Sequence, residues 1–289
     1  MQAEIDRFLR GLAAERGRTA NTIAAYRNDL QQLREYLMHT MERSSWADVT
    51  PDVARSYVWY LWDRGYAAAT VARKLSAIRS FFRFLLDRNL IHSDPLATIA
   101  MPRVDRPPPE SLPSEAVARL LALPAQDMTP TGLRDRALLE LLYATGLRAS
   151  EVVSLEVEDV SLASSTVRCL TRGRERLIPL PPCAQEALEA YLARGRLHFL
   201  QNREERALFL NYRGQRLTRQ GLWLLVQGYA KEAGLDFRVN PQALRHSFAA
   251  HLLSEGVEMT QVQELLGHAS LHTTTVYAHL QEERDASHE

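Results

Sequence analysis

The chain has almost no cysteine, only Cys169 and Cys183 among 289 residues. Two thiols without metal-ligand spacing exclude both a zinc-finger pattern and a disulfide-stapled secreted domain, and they suit a reducing compartment. Long apolar runs are missing as well. No stretch reaches the roughly 18–20 apolar residues of a membrane span, and the opening MQAEIDRFLRGLAAERG sets acids where a secretory signal would carry its apolar core. A cytoplasmic location without membrane contact is the expectation. Lysine is nearly absent: Lys74 and Lys231 are its only occurrences among 35 basic residues. Arginine is the better bidentate partner for phosphate, although genomic base composition accounts for such a bias equally well. Net charge is lacking too, since 35 acidic residues balance the basic ones. That excludes a uniformly basic nucleic-acid binder and makes the distribution of charge informative. Residues 1–106 carry sixteen basic against twelve acidic side chains, so the first part is positive and the remainder negative.

What is present reads as ordinary globular protein, 46% hydrophobic and 24% charged, and long enough for two domains. The stretch from Met101 to Glu110 holds four prolines and cannot be helix interior, so it reads as a connector between a domain over 1–100 and another over 111–289. Four helical patterns precede it. Residues 2–15 align Ile5, Phe8, Leu9 and Leu12, and residues 21–38 align Ile23, Tyr26, Leu30, Leu33 and Leu37. Thr50-Pro51 starts a third through Val53, Tyr57 and Leu61; a fourth, 70–87, carries Val71, Leu75, Ile78, Phe82 and Leu85. Arg73, Lys74, Arg79 and Arg83 on that fourth helix are expected away from its apolar stripe. They form either a solvated face or a phosphate-contacting one.

Beyond the connector, helical patterns cover 114–123, 132–145, 149–155, 182–194, 218–233, 241–254, 258–266 and 271–280. Residues 166–179 place Val167, Leu170, Leu177 and Ile178 around Arg172-Gly173-Arg174, a β-hairpin with a basic turn. The fold class is therefore mainly α: a helical N-terminal domain and an α-rich second domain with a small antiparallel sheet.

Four segments gain meaning from their order: Ala144-Thr-Gly-Leu-Arg148-Ala-Ser-Glu151, Leu244-Arg245-His246-Ser-Phe-Ala-Ala-His251, Leu265-Leu-Gly-His268 and Thr273-Thr-Thr-Val-Tyr277. Singly, each has a plain reading as helix cap, core histidine or half-buried aromatic. Together they resemble the tyrosine recombinase (phage integrase) family, most closely its Xer branch of chromosome-dimer resolvases. Thr22, Tyr26, Asp29 and Leu30, with Leu75-Ser-Ala-Ile-Arg-Ser-Phe-Phe82, extend the likeness to the family's SAM-like core-binding domain. The resemblance implies a site-specific recombinase that cleaves and rejoins DNA through a 3′-phosphotyrosine. Tyr277 would be the nucleophile, Arg148 and Arg245 the clamp on the non-bridging oxygens, and His268 a further donor to the phosphate. Glu151, three residues after Arg148, would hold that guanidinium.

The same resemblance implies no metal or other cofactor, because the bond energy is kept in the phosphotyrosine. It implies a clamp of two domains on double-stranded DNA. A homo- or hetero-tetramer with a recombinase paralogue would form on two sites, with a septal DNA translocase as a further partner in chromosome partition and cell division. Arg73, Lys74, Arg79 and Arg174 are the candidate DNA contacts.

Two positions depart from the family pattern. Arg172 stands where the family's hairpin lysine serves as general acid, if the turn is one residue shorter, and Gln242 stands where its first histidine would lie. An arginine of pKa above ~12 is a poor proton donor, and an amide cannot accept a proton from tyrosine. These departures favour a second reading, a catalytically weakened paralogue that holds DNA or a partner. A helix-turn-helix regulator would explain the helices and arginines but not the ordered set Arg148, Arg245, His268 and Tyr277.

Overall fold

Helices begin where the chain offers an oxygen to the bare N–H groups of a first turn. In the computed structural model, which describes residues 1–15, 19–104, 111–171, 174–235 and 239–267, Thr19 caps α2 and Thr50 caps α3. The first unit, Met1–Arg106, consists of α1 (Gln2–Ala14), α2 (Ala20–His39), a 3-10 turn (Trp46–Asp48), α3 (Pro51–Asp63) and α4 (Ala68–Asp87). Phe8, Trp46, Phe81 and Phe82 meet at its centre, with Trp46 edge-on to Phe81 at 4.8 Å between ring centroids. Each such buried aromatic contributes on the order of 1.5–3 kcal/mol of transfer free energy.

One sequence expectation is corrected in this unit. Lys74 is buried, not displayed on an outward basic face. Position 74 lies three after Val71 and four before Ile78, inside the apolar stripe, and its ammonium is neutralised by Asp29 of α2 at 3.0 Å.

The second unit, Pro107–Glu289, runs through α5 (Ser114–Ala125), α6 (Pro130–Thr145) and α7 (Ala149–Ser154) into a three-stranded antiparallel sheet, β1 (Val160–Ser161), β2 (Thr166–Thr171) and β3 (Arg174–Pro179). Then follow α8 (Pro182–Ala190), a π-helical turn (Tyr191–Gly195) leading into α9 (Arg196–Phe199), α10 (Arg219–Glu232), α11 (Pro241–Ser254) and α12 (Met259–Leu266). The sheet order is β1-β2-β3, and Val167 pairs with Ile178 on the face turned to the core. Strand alternation sends Leu170 and Leu177, 71% and 65% exposed, to the other face, although both are apolar. The helix 271–280 and the core of the connector, 105–110, lie outside the described residues.

Candidate recombination site

Three local devices set the site. Helix α6 ends on Gly146 in the left-handed region (φ 56°), where a Cβ would collide with the Phe248 ring. The turn delivers Arg148 as the residue that opens α7. Glu151 caps that helix: its Oε2 accepts the Arg148 backbone N–H at 2.8 Å, and its Oε1 accepts the Arg148 guanidinium at 3.0 Å. Helix α11 begins at Asn240-Pro241, where the Asn240 side chain accepts from the backbone N–H groups of Gln242 and Ala243. Two turns of that helix carry Gln242, exposed, and Arg245, buried. Residues three apart share a helix face, so Gln242 stands one turn ahead of Arg245 on the same side.

Helix α12 closes the arrangement. Its last turn ends on Gly267 (φ 61°), and the carbonyls there carry the partial negative charge of a helix C-terminus. Three guanidiniums converge on them. Arg245 donates to Leu266 O at 2.8 Å and to Gly146 O, Arg148 to the same Leu266 O at 3.4 Å, and Arg176 to Leu265 O at 2.8 Å. A carbonyl accepts a hydrogen bond without cancelling the cation's charge, and Glu151, the one carboxylate among the described residues that meets these guanidiniums, leaves the cluster net positive, so it is suited to an anion. The next residue in the chain is His268. Beside Arg245, the His246 imidazole is pushed down to about 4 by burial and by the guanidinium, so it is neutral at neutral pH. Among the described residues no group of histidines, cysteines and carboxylates is arranged to hold a metal ion, and no helix is long and apolar enough to cross a membrane.

The sequence matches two family models, "Phage integrase family" over residues 110–284 and "Phage integrase, N-terminal SAM-like domain" over residues 5–89. Among curated relatives, Tyrosine recombinase XerC of Roseiflexus castenholzii is 48% identical, covering 98% of this chain and 90% of the relative. Tyrosine recombinase XerD of Halalkalibacterium halodurans is 40% identical, covering 97% of this chain and 94% of the relative. The chain belongs to the tyrosine recombinases, in their Xer branch. The recombinase shares its fold with XerH bound to palindromic difH substrate (TM-score 0.74, 21% identity, 98% of this chain and 94% of that one). It also shares it with a lambda integrase(75-356) dimer bound to a COC' core site (TM-score 0.72, 18% identity, 96% and 94%). Its activity is site-specific DNA recombination.

Of the residues expected at the recombinase's site, Arg148, Glu151 and Arg245 are brought together, with Gln242 one turn away on α11. Arg172, His268 and Tyr277 lie outside the described residues. Arg174 is exposed at the start of β3. Among the candidate DNA contacts on α4, Arg73 is half-exposed and forked onto Asp29, while Arg79 donates to the Ile99 carbonyl. Arg176 is the member that sequence reasoning passed over. The available signal was alternation: Arg176 has the parity of Ile178, on the inward side of its strand.

Proposed function

We propose that this recombinase cuts one strand of duplex DNA by attack of the Tyr277 hydroxyl on a phosphodiester. The Tyr277 O–P bond forms, the P–O5′ bond breaks, and the 3′-phosphotyrosine stores the bond energy until a 5′-hydroxyl from the partner site reverses the step. The phenol gives up its proton and the departing O5′ takes one. Arg148 and Arg245 stabilise the charge that gathers on the non-bridging oxygens, and His268 adds a hydrogen bond. Glu151 fixes the fork of Arg148. The convergence of Arg148 and Arg245 on the Leu266 carbonyl, two residues before His268, is the observation that carries this reading.

Gln242 supplies an amide hydrogen bond but no base, and Arg172 an electrostatic partner but a poor acid. Each missing proton-transfer group is worth ~10²–10⁴ in rate, so strand cleavage is slow, with solvent covering the proton steps. The names of the XerC and XerD relatives support resolution of chromosome dimers as the biological task. Four protomers, of this chain or of this chain with a paralogue, act on two sites, with a septal DNA translocase as a partner. Arg73, Arg79 and Arg174 remain the surface candidates for phosphate contact, and binding weakens as salt rises through counterion release.

A nicked suicide duplex carrying the chromosomal recombination site tests the reaction. Wild type accumulates a covalent protein–DNA adduct, and Tyr277→Phe gives none at equal gel-shift affinity. Binding without any adduct from wild type would favour the second reading, a DNA-holding paralogue, for which Gln242 is the specific motive.

A further inference from the structure

Arg176 has no role in the reaction as written above, yet it touches the carboxylate that holds Arg148 and the helix end that precedes His268. It sits on β3 opposite Cys169, turned inward, with its side chain only 12% exposed. One arm of its guanidinium meets Glu151 Oε2 at 3.0 Å, and the other donates to Leu265 O at 2.8 Å. Glu151 is therefore held through both oxygens, Oε1 by the Arg148 guanidinium and Oε2 by Arg176 and the Arg148 backbone. The end of α12 is shaped around the same group: a Cβ on Gly267 would collide with the Arg176 guanidinium.

We propose that Arg176 is a positioning residue for strand cleavage, acting through Glu151 to aim Arg148 and through Leu265 to set the turn that leads into His268. The inference rests on the reading that Arg148 acts on the scissile phosphate. Its physical basis is that without Arg176 the carboxylate is anchored, among the described residues, only to Arg148, the residue it has to orient, so the acid and the guanidinium can shift together. A misplacement of ~1 Å at a reacting group costs ~10²-fold. The arrangement also ties the hairpin to the site. Thr171 pairs with Arg174 across Arg172 and Gly173, and a slip of one residue in this ladder would turn Arg176 to the opposite face and leave the Glu151 carboxylate held, among the described residues, by Arg148 alone. Only the native register assembles the clamp.

The test is a double-mutant cycle on the full-length protein, read as the rate of adduct formation on the suicide duplex. Arg176→Met is expected to slow the reaction ~10²-fold with gel-shift affinity unchanged, and Glu151→Gln comparably. The double variant should then fall within about twofold of the slower single one, because both changes break one linkage. Arg176→Lys, which can keep one of the two contacts, should lie between wild type and Arg176→Met. It carries the same cycle if the methionine variant does not fold. Losses that multiply in the double variant, or an unmoved rate in Arg176→Met, overturn the positioning role. Absence of any adduct from wild type is a different failure: it sinks the proposed reaction, and this inference with it. An adduct rate unmoved by Arg148→Ala removes the route through Arg148.

Discussion

Each unit of the molecule buries one carboxylate between two cations, and the two clusters serve different ends. In the first unit Asp29, 2% exposed, receives the fork of Arg73 and the Lys74 ammonium, neighbours on α4. Lys74 also donates to Gln32 at 2.7 Å and lies over the Tyr66 ring, to whose hydroxyl Gln32 donates. Cations and acid face each other across two helices, α2 and α4, and the network closes on itself. In the second unit Glu151 sits between Arg148 of the α6–α7 turn and Arg176 of β3, with Arg245 of α11 on the adjoining carbonyl. Arg148 remains 38% exposed. Similar charge arithmetic thus gives a staple where the partners share one helix pair, and a site where they arrive from separate elements; exposure does not separate the two, since the Arg73 side chain is 47% open and that of Arg148 38%.

Substitutions can break or sharpen this contrast. The largest effect is expected from Gln242→His, which places an imidazole on the exposed first turn of α11 without disturbing any packing. Adduct formation on the suicide duplex should accelerate by ~10²–10⁴ and acquire an inflection in the ordinary imidazole range, rising with pH as the ring loses its proton. An unaltered rate would mean that position 242 is not where the proton is handled. Next comes Asp29→Ala, which strands the buried Lys74 ammonium and should destabilise the first unit by about 3–5 kcal/mol. Three of the four tryptophans, Trp46, Trp59 and Trp62, belong to that unit, so urea unfolding followed by fluorescence reads it directly. If the midpoint stays put, the Asp29 cluster is not a staple.

The smallest effect concerns His246. Its folded pKa, about 4, lies below the ordinary 6.5, so between those values the unfolded chain takes up a proton that the folded chain refuses. Stability is intact above pH 6.5 and declines as the pH falls toward 4. Comparing urea midpoints of wild type and His246→Gln should show the gap moving in favour of the variant over that window; a constant gap would exclude the effect.

The helices were legible because their boundaries are written in short-range chemistry: Thr50-Pro51 and Asn240-Pro241 open helices and the glycine after Thr145 closes one, each acting within one turn of itself. Periodicity reveals the core of α4 and also places position 74 within it, whereas residue type alone points Lys74 to solvent. Apolarity alone groups Leu170 and Leu177 with Val167 and Ile178, whereas parity along each strand separates them. The π-helical turn at Tyr191–Gly195 and the short strand β1 left no local signal. At the site, Arg148, Glu151 and Arg245 were found through family resemblance, since no local rule links α7 to α11. Arg176 escaped because its partners depend on hairpin register and on α12, both long-range facts.

Gly146 has one more consequence. Its carbonyl receives Arg245, and Arg148 follows it by only two residues. The Arg245 guanidinium is thereby tied to the Arg148 backbone by a short piece of main chain and one hydrogen bond, while Glu151 and the shared Leu266 carbonyl set the Arg148 tip, much as the jaws of a caliper share a rivet and a stop. Strain or thermal motion elsewhere in the second unit can shift the pair as a body while leaving the gap between the jaws nearly unchanged.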